Sequence, residues 1–434
     1  MTELCVDLYG RRIGTLVERA TGFDFVVDAE AIRHHGIGST VLSFSIPLSA
    51  RPRPEEAPLR RNYFDEVLPE GRARDRLAGN ARIAPAYTIG MLARYGRDVA
   101  GALQIWNPTA PDEPRNPALA PATPARVREI LEEVKSAPIG NVSIRHLSSL
   151  AGVQDKIVIV RTADGWAEPL DGFPSTHIVK PVVPSHPSLI FDEEYGARIA
   201  RRLGLTEFGT TVEVFDGISA LVIERYDRSA ATPDGRIHQE DFNQALGYSG
   251  DGKYEEYGHP GLAAIARVLR ENIGRTAVEG LLRLTTMSVA VGNLDMHAKN
   301  VSVLHLPDGT ARLAPAYDVV PQLHLPVDKN FAFRVNGVFA HAEITRDDLV
   351  AEGASWGVRS AAEIVDQVIA DVGEAVRAER PLPGAHFSLA EDIQRFCDNL
   401  AGGLGASAHA PAAPASAATP PAESPGGWGG PVRA

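Results

Sequence analysis

Cysteine is scarce in this sequence. Its 434 residues include only Cys5 and Cys397, at opposite ends, which excludes a disulfide framework and any zinc site built on paired cysteines. Nowhere does an apolar run approach the roughly eighteen residues that a membrane span needs. The opening MTELCVDLYGRRIG also lacks the charged, apolar and cleavage regions of a signal peptide. A cytoplasmic protein with no membrane contact is therefore expected. Positive charge is in deficit as well, with 43 Lys and Arg against 55 Asp and Glu. The resulting net charge of −12 argues against the chain gripping nucleic acid over a broad surface by itself. The local run of Arg72, Arg74 and Arg76 reads equally well as a solvated helix face. No internal repeat is evident.

What is present suffices for two or three globular domains, at 44% hydrophobic and 23% charged residues. Residues 1–105 read as a small β-rich domain. Alternation predicts strands at Cys5–Tyr9, Ile13–Val17, Phe23–Val27 and Val41–Ile46, then helices at Arg72–Leu77 and from about Tyr87. Nothing there is spaced like a catalytic site, so a binding or assembly role is expected. Residues 106–125 are rich in Pro and Ala and read as a linker. A second unit spans 126–400. It opens with an amphipathic helix, Arg126–Ser136, followed by strands at Lys156–Val160 and His177–Pro181. The helix FDEEYGARIARRLGL over Phe191–Leu205 comes next, then a hairpin, Thr211–Phe215 and Ser219–Glu224, about Asp216-Gly217. Two further helices are expected at Ala361–Arg380 and Leu389–Leu400. Residues 401–434 hold almost no charge or aliphatic bulk and are expected to be a disordered low-complexity tail.

The chemically informative stretch is Asn293–Asp318. Two strand-like runs flank Pro307-Asp308-Gly309, a hairpin signal in which Pro presets φ and Gly supplies positive φ. Gly309 lies midway between Asn300 and Asp318, so closing the hairpin brings these two together, with Asp295 five residues before Asn300. Two carboxylates and an amide oxygen converging there suit Mg²⁺ shared with phosphate. Asp-x-x-x-x-Asn, a strand pair and a further Asp match the protein-kinase catalytic loop and its second metal-binding Asp. An Asp and an Asn beside a hairpin are also ordinary turn and cap residues, so the reading depends on parts upstream. Small residues at Ser148, Ser149, Ala151 and Gly152 precede a strand, and Lys180 closes another. Glu194 lies fourteen residues further, near enough for a kinase-type Lys–Glu pair, although Asp192, Glu193 and Glu194 also simply complement a helix N-terminus. The strand ending at Glu224 runs into a segment placed like a kinase hinge. Leu281, Leu284, Met287 and Val291 form a core stripe on the helix that delivers Asp295.

Several phrases in one order resemble the HipA family of bacterial toxin kinases: NYFDEVLPEG and GRDVAGALQI, then SLAGVQDK, HIVKP, EEYGARIARRLGL, ERYDR, HQEDF, DMHAKN and PAYDVV, over about residues 3–400. The resemblance implies an α+β architecture, a two-lobed protein-kinase-like fold (lobes about 126–228 and 229–400) preceded by the small β-rich domain. It implies ATP and Mg²⁺ as cofactors, with Asp295 as catalytic base and Asn300 and Asp318 as metal ligands. Lys180, ion-paired to Glu194, would hold the α/β-phosphates. Ala151, Gly152, Val153, Gln154, Asp155 and Lys156 would cover the nucleotide. Glu224, Arg225 and Tyr226 would form the adenine hinge, and His297, Lys299 and Tyr317 would complete the pocket. Ser149 takes the place of an autophosphorylated serine whose modification switches the kinase off, with Ser148 beside it as the alternative. Met296 stands where the commoner motif has Gly. Implied partners are a HipB-like helix-turn-helix antitoxin, operator DNA through that antitoxin, and a protein substrate such as an aminoacyl-tRNA synthetase, whose phosphorylation arrests growth. Two other readings stand beside this one: a kinase-fold scaffold that chiefly binds the antitoxin, and a small-molecule phosphotransferase of the aminoglycoside-kinase type.

Overall fold

The structure is a computed structural model and describes residues 2–408 except 112, 114–115, 137–154, 233 and 260. β1 (Glu3–Leu8) and β2 (Arg11–Arg19) form a hairpin whose two turn residues, Tyr9 and Gly10, both have positive φ, as strands with right-handed twist require. β3 (Gly22–Val27) extends this meander. Four helices follow, α1 (Ala29–His35), α2 (Ala57–Asp65), α3 (Gly71–Ala81) and α4 (Thr88–Tyr95), before β4 (Leu103–Trp106) returns to pair with β1. The sheet order is β3-β2-β1-β4, and its inward residues Leu4, Val6, Ile13 and Phe25 pack against Tyr63, Phe64 and Leu92 of the helices.

The strand expected at Val41–Ile46 is absent. That segment runs as bends, and side chains rather than a ladder satisfy its backbone. The Phe44 N–H donates to Glu240 at 2.8 Å, and the Leu42 carbonyl accepts from the Tyr63 hydroxyl at 3.1 Å. The segment is clamped between two domains and does not lie in a sheet, so its burial does not follow the alternation of its sequence.

The next unit is a six-stranded antiparallel sheet in the order β5-β7-β6-β8-β10-β9. Its strands are β5 (Ala118–Pro121), β6 (Ile157–Thr162), β7 (Gly165–Leu170), β8 (His177–Pro181), β9 (Thr210–Phe215) and β10 (Ile218–Glu224). β5 lies within the expected linker. Its Pro121 is tolerated because the strand is at the edge, where a missing N–H costs no ladder bond. α5 (Pro124–Ser136) covers the sheet through Val127 and Leu131, which pack with Ile157, Ile159, Val179 and Val222. α6 (Leu189–Arg202) crosses between this sheet and a mainly helical unit.

In that helical unit, β11 (His238–Asp241) leads into α7 (Phe242–Ala245), closed by a capping box in which Asp241 accepts from the Gln244 N–H. α8 (Leu262–Asn272) and α9 (Arg275–Val291) come next, then β12 (Ser302–His305) and β13 (Ala311–Leu313), which join β11 in a small sheet. β14 (Asn330–Val335), β15 (Val338–Ala340), α10 (Arg346–Ser355), α11 (Ala361–Ala378) and α12 (Leu389–Ala401) complete it. α9 is the central post, and Leu281, Leu284, Met287 and Val291 are all buried in its core.

The tail does not begin at 401. Ala406 is fully buried, its N–H donates to the Ile344 carbonyl at 2.9 Å, and Asn399 caps the Ala406 and Ala408 carbonyls. The rest of that expectation, 409–434, lies outside the described residues. Among the described residues no helix is long and apolar enough to cross a membrane.

Candidate active site

α9 ends at Gly292, whose φ of +73° is the left-handed C-cap that most side chains avoid. The chain then folds into a short loop tied by its own backbone. The His297 N–H donates to the Asp295 carbonyl at 2.9 Å, the Asn300 N–H to the His297 carbonyl at 2.8 Å, and the Asn300 amide Nδ2 back to the Asp295 carbonyl at 2.8 Å. That last bond turns the Asn300 Oδ1 the other way. The hairpin closes as expected, with His305 opposite Ala311 and Val303 opposite Leu313. At its open end the Tyr317 hydroxyl donates to the Lys299 carbonyl at 2.7 Å, joining the loop to the residue beside Asp318. Asp318 itself has φ +54°, an uncommon conformation that Asp tolerates better than most residues and that recurs at functional sites.

These parts line a cavity of about 490 Å³ between the six-stranded sheet and the helical unit, well within the range that holds a nucleotide-sized ligand. From β8, Lys180 reaches both Glu193 of α6 (2.7 Å) and Asp318 (2.6 Å). The partner on the helix is thus Glu193, not the expected Glu194. Glu194 points a residue's turn away, where it pairs with Arg198 at 2.8 Å. What fixes the rotation of α6 is Gly196. A Cβ there would stand 2.1 Å from the Val319 carbonyl oxygen, so only glycine lets the helix lie against the backbone just after Asp318.

Charge and burial set the protonation states. Asp295 is pushed up to about 6 by burial and by the neighbouring Asp318, although Lys253 and the Tyr254 hydroxyl, 3.2 Å away, pull it down. Burial also acts on Asp318, but Lys180 outweighs it and holds the carboxyl at about 2. Burial would lower Lys180; Asp318 and Glu193 instead keep it above the ordinary lysine range. Lys156, also lining the cavity, is pushed down to about 8 by burial and by Lys180. His297 falls to about 3, chiefly by burial, and is neutral.

Part of the cavity lining is apolar. Tyr226 lies between Phe208 and Tyr317, at ring separations of 5.8 and 5.4 Å, with Ile178 and Ile223 beside them. Glu224, Arg225 and Tyr226 all line the cavity, but the Arg225 guanidinium turns outward to Asp227 and Ser175. Asp155 does not face the cavity as expected; its carboxylate holds Arg76 of α3 at 2.9 Å. The other residues expected to cover the nucleotide, Ala151, Gly152, Val153 and Gln154, lie outside the described residues, as do Ser148 and Ser149. Met296 is buried in the core of the helical unit and does not line the cavity.

Two residues of the N-terminal module that sequence reasoning passed over, Glu66 and Glu70, also line the cavity, where both meet Lys299. The only local signal is that they frame the VLP of NYFDEVLPEG. Among the described residues no group of three or more His, Cys, Asp or Glu side chains is arranged to hold a metal alone. The oxygens of Asp318 and Asn300 nonetheless fit Mg²⁺, which keeps several waters and is shared with substrate phosphates.

Known proteins bear out this reading of the fold. Residues 4–106 match the HipA N-terminal domain and residues 148–378 the HipA-like C-terminal domain. Y4mE of Sinorhizobium fredii, which carries a kinase name, is 31% identical over 380 residues, covering 83% of this chain and 88% of that protein. The serine/threonine-protein kinase toxin HipA of Shewanella oneidensis is 25% identical over 364 residues, 76% of this chain and 80% of that one. The structure of Shewanella oneidensis HipA, solved with HipB and operator DNA, superposes with a TM-score of 0.74 at 23% identity, covering 92% of this chain and 97% of that one. With a sheet module and a two-lobed kinase-like unit matched in chain order, and more than half of the sequence within one family domain, the chain belongs to the HipA family.

Proposed function

We propose that the chain is an ATP- and Mg²⁺-dependent serine/threonine protein kinase acting as the toxin of a type II toxin–antitoxin pair. One observation carries the proposal: Asp295, Asn300 and the Lys180–Glu193–Asp318 ion set meet in a single cavity whose lining is partly apolar. Adenine would lie against Ile178, Phe208, Ile223 and Tyr226, with the backbone of 224–226 at its edge. Lys180, and Lys156 while protonated, would hold the α- and β-phosphates. The acceptor hydroxyl would donate to Asp295, which is ionised at neutral pH yet basic enough at about 6 to take the proton as the oxygen attacks. The new oxygen–phosphorus bond forms on the acceptor, and the bond to the β-phosphate oxygen breaks, releasing ADP. Mg²⁺ held by Asn300 and Asp318 would neutralise charge on the transferred group. Positioning and electrostatics then supply most of the rate.

Three further assignments follow from family membership. The substrate would be a component of translation such as an aminoacyl-tRNA synthetase, and its phosphorylation would arrest growth. A HipB-like helix-turn-helix antitoxin would neutralise the chain in the cytoplasm, and operator DNA would be reached through that antitoxin. The net charge of −12 supports such indirect contact with DNA. Phosphorylation of Ser149 or Ser148 would silence the kinase.

Intact-mass spectrometry after incubation with ATP and Mg²⁺ tests the core of this. Wild type should gain one phosphate, mapped to Ser149 or Ser148, and Asp295→Asn none. A variant that retains transfer removes Asp295 as the base. A wild type that neither binds ATP nor gains phosphate overturns the enzyme reading.

A further inference from the structure

Lys299 sits between Asp295 and Asn300 in sequence and is almost fully buried. A buried ammonium is costly unless carboxylates surround it. The helical unit offers it only Asp241 among the described residues, at 3.7 Å, a group already accepting from the Gln244 N–H. The closer partners come from the N-terminal module, 233 positions away in sequence in the case of Glu66. Glu66, at the end of α2, makes a short ion pair with the Lys299 Nζ and also accepts from the Gly250 N–H (2.7 Å) and Asn243 (3.1 Å). Glu70, at the start of α3, lies 3.0 Å from the same Nζ and 2.8 Å from the Lys253 Nζ. Residue 254 carries that second chain of contacts on, since the Tyr254 hydroxyl donates to Asp295.

Both ends of the loop are therefore tied to Glu70, and the Asn300 end to Glu66 as well. Glu66 and Glu70 reach Asn300 through Lys299, and Glu70 reaches Asp295 through Lys253 and Tyr254. Burial raises the Glu70 carboxyl, but Lys299 and Lys253 more than offset this, so it is ionised in the folded protein.

We infer that Glu66 and Glu70 are positioning residues of the kinase, which makes the N-terminal module part of the catalytic apparatus rather than a separate docking domain. This rests on the kinase reading above and deepens it. Neither acid touches the reacting atoms; each fixes the loop that carries them.

The test uses the full chain with Glu66→Gln, Glu70→Gln and the double variant. Asn62→Ala serves as control, because it removes a bond from the same helix to the Gly247 carbonyl (2.8 Å) away from the loop. Phosphoryl transfer at saturating ATP, affinity for a non-hydrolysable ATP analogue, and hydrogen exchange of the 297–300 amides are measured. The Gln variants should lose about 10- to 100-fold in kcat, the scale set by a displacement of about 1 Å. Analogue affinity should hold, and the loop amides should exchange faster. Asn62→Ala should lower the melting temperature while leaving kcat and loop exchange alone. Glu70, whose side chain is 19% exposed, keeps the test readable if Glu66→Gln does not fold. Unchanged loop exchange in the double variant overturns the inference, as does a loss matched by Asn62→Ala. If wild type transfers no phosphate, the kinase reading fails, and the exchange data still decide whether the two acids hold the loop.

Discussion

Replacing Glu193 and Glu194 separately by Gln asks which of two adjacent acids serves Lys180. The Lys180 Nζ lies 2.7 Å from Glu193 and 2.6 Å from Asp318, and the Lys180 and Glu193 side chains are 7% and 4% exposed. Breaking a buried pair usually costs about 3–5 kcal/mol, because it strands an uncompensated charge. Here Asp318 stays beside Lys180 and Gln keeps a hydrogen-bond acceptor, so the loss should be about 2 kcal/mol, roughly 30-fold in rate. It should appear in phosphoryl transfer, since without Glu193 the lysine swings toward Asp318 and away from the phosphates. Glu194→Gln removes an i,i+4 partner of Arg198, and the Glu194 side chain is itself buried. Arg198 keeps Glu379 at 2.9 Å, so the change should cost about 2–3 kcal/mol of stability and leave transfer near wild type. Single-turnover transfer to a protein substrate or to the chain itself, with melting temperature measured alongside, reads both. Equal losses in the two variants, or a Glu193→Gln enzyme at wild-type speed, would refute the assignment of Glu193.

Other outcomes rest on the same geometry. Asp295 ionises near 6 and Lys156 near 8, so kcat/KM should peak between these values, falling below pH 6 as the base takes up a proton and above pH 8 as the lysine loses one; a profile flat from pH 5 to 9 would contradict both roles. The raised Asp295 carboxyl favours folding only when protonated, a contribution complete below the ordinary Asp value and gone above about 6. Asp295→Asn should therefore abolish transfer yet stabilise the protein at pH 7, by about 1 kcal/mol once the 42% exposure of the side chain is allowed for; a lower melting temperature at that pH would argue against the burial penalty. Gly196→Ala drives a methyl into the Val319 carbonyl and should cost about 1–3 kcal/mol in stability and most of the activity; an active, wild-type-stable variant would show that α6 is free to shift. Leu281→Ala, in the fully buried stripe of α9, should lower the urea unfolding free energy by about 3–5 kcal/mol, and a cost under about 1 kcal/mol would mean that the site collapses on itself.

The parts of the site legible in the sequence are those whose partners are local. The hairpin that brings the Asn300 and Asp318 ends together announces itself through Pro307-Asp308-Gly309 and strand-type runs on either side. β8, with Lys180 one residue from its end, has the bounds its alternation suggests. Glu193 was not legible, because adjacent helix positions differ by about 100° and only a tertiary contact, Gly196 on Val319, sets which one faces the strand. Val41–Ile46 misled for a related reason. Burial along it does not alternate, since Val41, Leu42, Ser43 and Ile46 are all buried, because a second side is supplied by Glu240, His238 and Gln244 of the helical unit. Glu66 and Glu70 had only the faint signal of framing Val67-Leu68-Pro69, since an acid near a helix end is usually a cap.

The segment after β10 shows how buried charge joins the N-terminal module to the kinase-like unit. Arg225, Asp227 and Arg228 come directly after β10; Arg225 and Asp227 are nearly fully buried, and the Arg228 side chain is largely covered. Arg225 forks onto Asp227, Arg228 reaches Asp98 of the N-terminal module at 2.8 Å, and the Gly101 N–H donates to Asp227 at 2.7 Å. Charges this deep are tolerated only while every partner is in place, and half of these partners belong to residues 98–101. Separating the module would take Asp98 from Arg228 and both Glu66 and Glu70 from Lys299, leaving Arg228 with Asp227 at 3.0 Å and Lys299 with Asp241 at 3.7 Å. The N-terminal module thus holds the rest of the chain by buried charge at two separate places, Asp98 and Glu66.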